Sequence, residues 1–236
     1  MKIRLEVCVD TFEGALAASQ AGAHRIELCA ALSEGGLTPS VGFMAAAAQL
    51  DTPVYNMIRP RAGGFCYSRA ELAIMKQDIE ASAKAGCAGV VFGVLLPDGQ
   101  LDTVAMAGLL RASALPATLH RAFDCVPDPF LALEQAIELG FERILTSGGQ
   151  PSAPEGLSLI AKLVKRAAGR IAIMPGAGVN AENVGEIVRR TGVVEVHSSC
   201  ARPQEDQGEV LPNDVVQKTT DAAKIHTILE ALAALI

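Results

Sequence analysis

The sequence predicts a single-domain (β/α)8 barrel, also called a TIM barrel, over residues 1–236. Short apolar runs of strand length alternate with Ala-rich stretches of helical period from one end of the chain to the other. Eight such pairs fit within 236 residues, close to the roughly 250 residues that are usual for this barrel. No linker or change of composition divides the chain, so one domain accounts for the whole pattern.

The apolar runs are predicted to be strands and the stretches between them helices. Ser40, Ser68 and Asn180 stand where helix N-caps belong, and glycine ends several helices, as at Gly22 and Gly140. The predicted strands begin at Ile3, Arg25, Pro53, Gly89, Ala117, Arg143, Ile171 and Val193. The predicted helices lie near 12–21, 40–50, 69–85, 102–112, 128–139, 155–168, 181–191 and 220–235.

A doubly wound open sheet is the alternative fold, and the first βα turn argues against it. That fold usually has a GxGxxG turn after its first strand, whereas this chain reads Val9-Asp-Thr-Phe-Glu13 there. The segment from Ala201 to Asp214 is polar with two prolines, which predicts a mobile loop after the eighth strand.

Charge and cysteine content narrow the function classes. The net charge is −6 with no basic patch, so neither nucleic acid nor an anionic membrane surface is expected as a partner. No apolar run approaches the ~18 residues that span a bilayer. The six cysteines form no CxxC pair, which is typical of reduced thiols in a cytoplasmic protein.

The first strand alternates between an apolar face and an ionisable face. Glu6, Cys8 and Asp10 share the ionisable face, and the second strand repeats the Glu-x-Cys pattern as Glu27 and Cys29. Two neighbouring strands that bury the same carboxylate and thiol indicate a site at this end of the predicted barrel.

Ionisable residues gather at the C-terminal ends of the predicted strands, where barrel enzymes carry their active sites. Carboxylates and imidazoles there suit acid–base catalysis. The opposing interpretation is structural: Glu6 and Glu27 would pair with Arg4, Arg59 or Arg61 inside the barrel, and the histidines would be core residues. The candidate catalytic residues are Glu6, Glu27, His120, Asp124 and His197.

A second set of residues suits an anionic ligand. Two guanidiniums flank the rigid Pro60, and glycines at strand ends let the backbone approach a bound phosphate. Tight turns explain the glycines equally well, and a solvated rim explains the arginines. The candidate anion-binding residues are Arg59, Arg61, Ser147, Gly148, Gly149, Gly176 and Gly178.

Cys8 and Cys29 are the candidate metal ligands. Adjacent strands lie about 4.8 Å apart, so two thiolates that point the same way can bracket one Cu(I) ion, which prefers such soft ligands. The surrounding glutamates, arginines and histidines are hard groups that a copper carrier does not need. The residues by themselves leave both interpretations open.

Eight stretches of the chain, spread over about 200 residues in order, resemble the CutC family, which is named for copper homeostasis. They are LEVCVDT (5–11), GAHRIELCAALSEGGLTPS (22–40), MIRPR (57–61), VVFGVL (90–95), TLHRAFD (118–124), FERILTSGG (141–149), MPGAGV (174–179) and EVHSS (195–199).

The resemblance implies a cytoplasmic single barrel that forms a homodimer or higher homo-oligomer. It also implies Cu(I) as the bound species, with Cys8 and Cys29 as the matching ligands. One departure is visible, because Gly64 stands where family members often carry aspartate in the segment after the third strand. Two functions remain open: a Cu(I)-binding protein, and a barrel enzyme acting on a small anionic or phosphorylated substrate.

Overall fold

A computed structural model describes residues 3–203 and 218–235. Eight parallel strands alternate with helices, as predicted, and most of the boundaries lie within two residues of the expected ones. The strands are β1 (Arg4–Val9), β2 (Arg25–Leu28), β3 (Val54–Met57), β4 (Gly89–Phe92), β5 (Ala117–Leu119), β6 (Arg143–Thr146), β7 (Ala172–Pro175) and β8 (Glu195–Ser198). The helices are α1 (Phe12–Gln20), α2 (Val41–Ala47), α3 (Arg69–Lys84), α4 (Thr103–Leu110), α5 (Pro129–Leu139), α6 (Leu157–Ala167), α7 (Val184–Thr191) and α8 (Ala222–Ala233).

The strands form the sheet of a (β/α)8 barrel. The ladder runs in the order β7-β6-β5-β4-β3-β2-β1-β8, and β7 packs beside β8 to complete the ring. The predicted TIM-barrel fold is therefore confirmed. Among the described residues, no helix has the length and apolar character that crossing a bilayer requires.

The prediction of a loop from Ala201 onward, after the eighth strand, is wrong for its first three residues. Residues Ala201–Pro203 form a strand, β9, that pairs antiparallel with β10 (Lys218–Thr220). The ladder satisfies backbone groups that a loop would leave to solvent. The rest of the predicted loop, 204–214, lies outside the described residues.

The helix caps follow the sequence with one exception. The hydroxyls of Ser40 and Ser68 accept hydrogen bonds from the first turns of α2 and α3, as predicted. Asn180 does not cap α7, which begins three residues later than a cap at that position requires. Its side-chain oxygen instead accepts from the backbone N–H groups of Glu182 and Asn183 in a separate turn, because asparagine readily caps turns as well as helices.

The two faces of the strands bury different chemistry. Leu5, Val7 and Val9 of β1 are buried in the apolar core that the strands share with the helices. The other face of β1 carries Glu6 and Cys8 toward the barrel interior, where both are buried. The alternation predicted for β1 is thus present, and it places ionisable groups inside the barrel.

Candidate functional site

Three side chains from three adjacent strands meet at the C-terminal mouth of the barrel. Parallel register aligns Cys8 of β1 with Glu27 of β2, and Glu6 with His197 of β8. One ligand atom from each of Cys8, Glu27 and His197 lies within 4.8 Å of the other two, and all three residues are buried. We refer to Cys8, Glu27 and His197 as the mouth group.

His197 is held in place by the carboxylates around it. Its Nδ1 lies 2.8 Å from Glu6 Oε1, and its Nε2 lies 3.9 Å from Glu27 Oε2. Burial opposes protonation, but the charges of Cys8 and Glu27 and the hydrogen bonds to Cys8 and Glu6 outweigh it. The pKa of His197 therefore lies well above its ordinary value, and the imidazolium donates to Glu6.

Below the mouth group lies a layer of charged residues that satisfy one another. The Arg25 guanidinium donates to both Glu6 and Glu195, and Arg143 donates to Glu195 at 3.0 Å. Burial would raise the pKa of Glu6, but the charge of Arg25 and the hydrogen bond to His197 lower it to about 2. We call Glu6, Arg25, Arg143 and Glu195 the lower layer.

Glu27 differs from Glu6 because no arginine donates to it in the described part of the chain. Burial raises the pKa of Glu27 to about 7, against the opposing charge of His197. Its Oε2 accepts a hydrogen bond from the Cys29 thiol at 3.6 Å, whereas its buried Oε1 has no hydrogen-bond partner among the described residues. A carboxyl group with such a pKa exchanges a proton near neutral pH.

Cys29 lies beside the mouth group and not within it. It is fully buried, and burial followed by the charge of Glu27 raises the pKa of its thiol well above the ordinary value. It packs in a small cluster with Met57, whose thioether is a second soft donor. A Cβ on Gly36 would lie 3.1 Å from the sulfur, so glycine is needed for this close approach.

The predicted acid–base residue Asp124 is bound by the chain's own donors. Its carboxylate accepts hydrogen bonds from the Thr146 hydroxyl, the Ser147 backbone and hydroxyl, and the Gly149 N–H. The Gly148 N–H donates to the Thr146 hydroxyl. Asp124 thus occupies the position where the strand-six loop was predicted to hold an external anion.

The two predicted anion-binding arginines lie in different environments. Arg61 is half-exposed, pairs with Glu71, and donates to the carbonyls of Gly64 and Cys66. Arg59 is buried, and its terminal nitrogens donate to the backbone carbonyls of Glu34, Gly36 and Gly63. Because Gly64 is exposed and a Cβ there would touch nothing within 4 Å, an aspartate at this position would meet no steric obstacle.

The glycines after β7 separate into two roles. Gly176 lies against the mouth group, since a Cβ there would come within 3.3 Å of His197 and 2.5 Å of Leu145. Gly178, with a φ of +80°, lines a surface cleft of about 440 Å³ together with Ser199 and Lys224. The residues predicted to bind one anion therefore do not surround a single point: Gly176 lies at the barrel mouth and Gly178 at a surface cleft.

Sequence reasoning missed the lower layer and the thioether beside Cys29. The ion pair considered for Glu6 is present, but its partner is Arg25, which the sequence analysis did not consider. The signal was available, because parallel β1 and β2 put Arg25 directly opposite Glu6 once Cys8 and Glu27 are aligned. Met57 follows from the same alternation along β3.

Once His197 releases its Nε2 proton, the mouth group offers a thiolate, an imidazole and a carboxylate to one point. Thiolate and imidazole both bind copper, whereas a carboxylate is a harder ligand. Cys29, a further soft donor, contacts Glu27, and Met57 packs in the same buried cluster as Cys29. Fold and donors together define a TIM-barrel protein with a candidate soft-metal site at its mouth.

The chain belongs to the CutC family, whose model matches residues 3–202. It is 50% identical to a CutC family protein of Rhizobium meliloti (strain 1021), over 99% of this chain and 97% of the relative. It is 45% identical to the human copper homeostasis protein cutC homolog, over 95% of this chain and 87% of that protein.

A solved structure supports the same assignment. The crystal structure of the putative copper homeostasis protein CutC from Streptococcus agalactiae superposes with a TM-score of 0.81 at 37% identity. It covers 84% of this chain, and this chain covers 98% of it. The homo-oligomer expected from the resemblance stays a prediction.

Proposed function

We propose that this chain is a cytoplasmic Cu(I)-binding protein of copper homeostasis, with the ion held at the barrel mouth. The observation that carries the proposal is the mouth group, whose three ligand atoms lie within 4.8 Å of one another in a buried setting. The human relative's name, copper homeostasis protein, supports copper as the cargo. All six cysteines are free thiols, in keeping with a reducing compartment.

Cys8 and His197 are the first ligands in this proposal. Cu(I) accepts two soft or borderline donors, and a thiolate with an imidazole meets that requirement. Cys29, predicted from the sequence as the second thiolate, donates a hydrogen bond to Glu27 Oε2 at 3.6 Å. Its sulfur replaces or joins the imidazole when the Glu27 carboxyl moves aside.

A competition titration with a chromogenic Cu(I) chelator under anaerobic conditions tests this proposal. We expect Cys8→Ser to weaken Cu(I) binding by at least about a hundredfold, because it removes the thiolate nearest the imidazole. Cys29→Ser is expected to weaken it by about tenfold, and the double variant to remove tight binding.

Cys66→Ser is the matched control, because Cys66 is exposed and lies outside the mouth group. Its Cu(I) affinity should equal that of the unaltered chain. Unchanged affinity in the Cys8→Ser, Cys29→Ser double variant would refute the proposal, as would an equal loss in Cys66→Ser.

A second function, catalysis on a small anionic or phosphorylated substrate, is favoured by the properties of Glu27. A buried carboxyl with a pKa of about 7 and an unpartnered oxygen suits proton transfer to and from a substrate. His197 would be the second proton-transfer group, and its contact with Glu6 would orient it. Such an enzyme must bind a small oxyanion, so a measurement of oxyanion binding to the metal-free chain separates it from a metal carrier.

A further inference from the structure

Arg59 is a buried positive charge without a carboxylate partner. Only 7% of the residue is exposed, and its terminal nitrogens donate to the backbone carbonyls of Glu34, Gly36 and Gly63. No carboxylate of the described residues pairs with it, and its Nε is buried without a hydrogen-bond partner. Buried charges are ordinarily paired, so this position lacks a countercharge.

His120 contributes a second buried donor, which has no partner in the part of the chain that the structure describes. Its Nδ1 accepts a hydrogen bond from the Ala122 N–H at 3.2 Å, which leaves the proton of the neutral imidazole on Nε2. That Nε2 is buried and unpartnered. Burial and the Arg59 charge lower the pKa of His120 to about 3, so the ring stays neutral and donates.

The His120 ring and the Arg59 guanidinium both pack against the ring of Phe65. The Phe65 and His120 ring centroids are 4.8 Å apart, and the Arg59 guanidinium carbon lies 5.2 Å from the Phe65 centroid. The faces of a phenyl ring accept hydrogen bonds and cations only weakly. The Phe65 ring is half-buried, and its backbone carbonyl accepts a hydrogen bond from the Leu95 N–H, so the ring leaves the two side chains by rotating about its own side-chain bonds.

A third polar atom lies beside the same guanidinium. The Tyr67 hydroxyl is buried and makes no hydrogen bond of normal geometry within the described residues, although Arg59 lies close to it. An unsatisfied buried donor costs about 1–3 kcal/mol. Several such atoms at one place are expected where a ligand supplies the missing acceptor.

We propose that Arg59 and His120 form a subsite for a small oxyanion, a carboxylate or phosphate group, which Phe65 covers in this structure. The anion replaces the Phe65 ring as the acceptor for Arg59 Nε–H and His120 Nε2–H, and its charge offsets the guanidinium. The subsite uses no residue of the mouth group, so it does not depend on copper binding.

Isothermal titration of the whole metal-free chain at pH 7 and low salt tests the subsite, with inorganic phosphate and succinate as separate probes. We expect saturable one-site binding of at least one probe, and the pair identifies which oxyanion is preferred. Arg59→Gln and His120→Asn should each weaken binding at least about tenfold, because each removes one donor. Asparagine retains an acceptor for the Ala122 N–H.

Two further variants separate a site from general charge effects. Phe65→Ala removes the cover and should tighten binding about threefold or more. Arg111→Gln makes the same charge change at an exposed arginine outside the subsite and should alter affinity less than about twofold. If Arg59→Gln does not fold, the weaker binding expected for His120→Asn and the tighter binding expected for Phe65→Ala test the subsite.

The proposal is overturned if neither probe binds saturably to the unaltered chain or to Phe65→Ala. It is also overturned if Arg111→Gln weakens binding as much as Arg59→Gln, or if His120→Asn binds unchanged. A nitrogen-15 spectrum supplies a direct readout, since the His120 Nε2–H resonance should move when phosphate or succinate is added.

Discussion

The lower layer and the mouth of this barrel contain the same kinds of residue in different states. In the lower layer, Arg25 and Arg143 converge on Glu195, and Glu6 is paired on both sides. At the mouth, Glu27, Arg59 and His120 each retain a buried polar atom that no described residue pairs with. Both regions are buried, so burial alone does not distinguish a structural charge from a functional one.

The difference between the two regions is the completeness of their hydrogen bonds. A saturated network offers nothing to a ligand and stabilises a single arrangement of the strands. Unpartnered atoms carry a free-energy penalty that a ligand removes on binding. The mouth is therefore expected to tolerate substitutions that the lower layer does not.

The largest expected effect is in the lower layer. Arg25→Met leaves Glu6 and Glu195 buried without their shared guanidinium, and we expect a loss of about 3–5 kcal/mol in the free energy of unfolding. Urea denaturation measures it. Arg166→Met, which breaks an exposed pair with Glu134, is the control and should lose less than about 1 kcal/mol. Equal losses would abolish the distinction between the lower layer and the surface.

A smaller effect is expected at Glu27, and it depends on pH. The folded chain keeps the Glu27 proton up to a pKa of about 7, above its ordinary value of 4.5, so the stability of the unaltered chain falls as pH rises through that window. Glutamine does not titrate. The free energy of unfolding of Glu27→Gln, relative to that of the unaltered chain, should therefore rise between pH 4.5 and 7 by on the order of 1–3 kcal/mol and then level off.

Urea denaturation of both chains at pH 5, 6, 7 and 8 measures the Glu27 effect. A difference that stays constant over this range would show that Glu27 is as fully paired as Glu6. A difference of opposite sign would mean that Glu27 is stabilised as the carboxylate, as the lower layer is.

The smallest expected effects come from the two tyrosines. The Tyr55 ring lies under Arg25 and Arg143, and its hydroxyl donates to Glu142 at 3.2 Å. We expect Tyr55→Phe to lower the free energy of unfolding by about 0.5–1.5 kcal/mol, whereas Tyr67→Phe should not lower it, because the buried Tyr67 hydroxyl has no partner among the described residues. Thermal denaturation compares them, and a larger loss for Tyr67→Phe would contradict the contrast.

Much of the barrel was predictable because its signals are local. Alternation along β1 identified which side chains face the interior, and Ser40 and Ser68 marked helix starts correctly. The cap at Asn180 was wrong because an asparagine before a helix also caps a turn. The partner of Glu6 was missed because pairing across strands depends on register, which local pattern does not specify.

The sequence by itself determined the barrel, the direction of each strand's polar face, and the residue types gathered at the mouth. Only the tertiary structure decided which of those residues remain unpartnered. The carboxylate of Asp124 is hydrogen-bonded by the loop after β6, whereas Arg59 has no countercharge among the described residues, although both stand at strand ends. The reason is physical: a strand's alternation is set by its own backbone, but hydrogen-bond saturation depends on atoms brought together from distant parts of the chain.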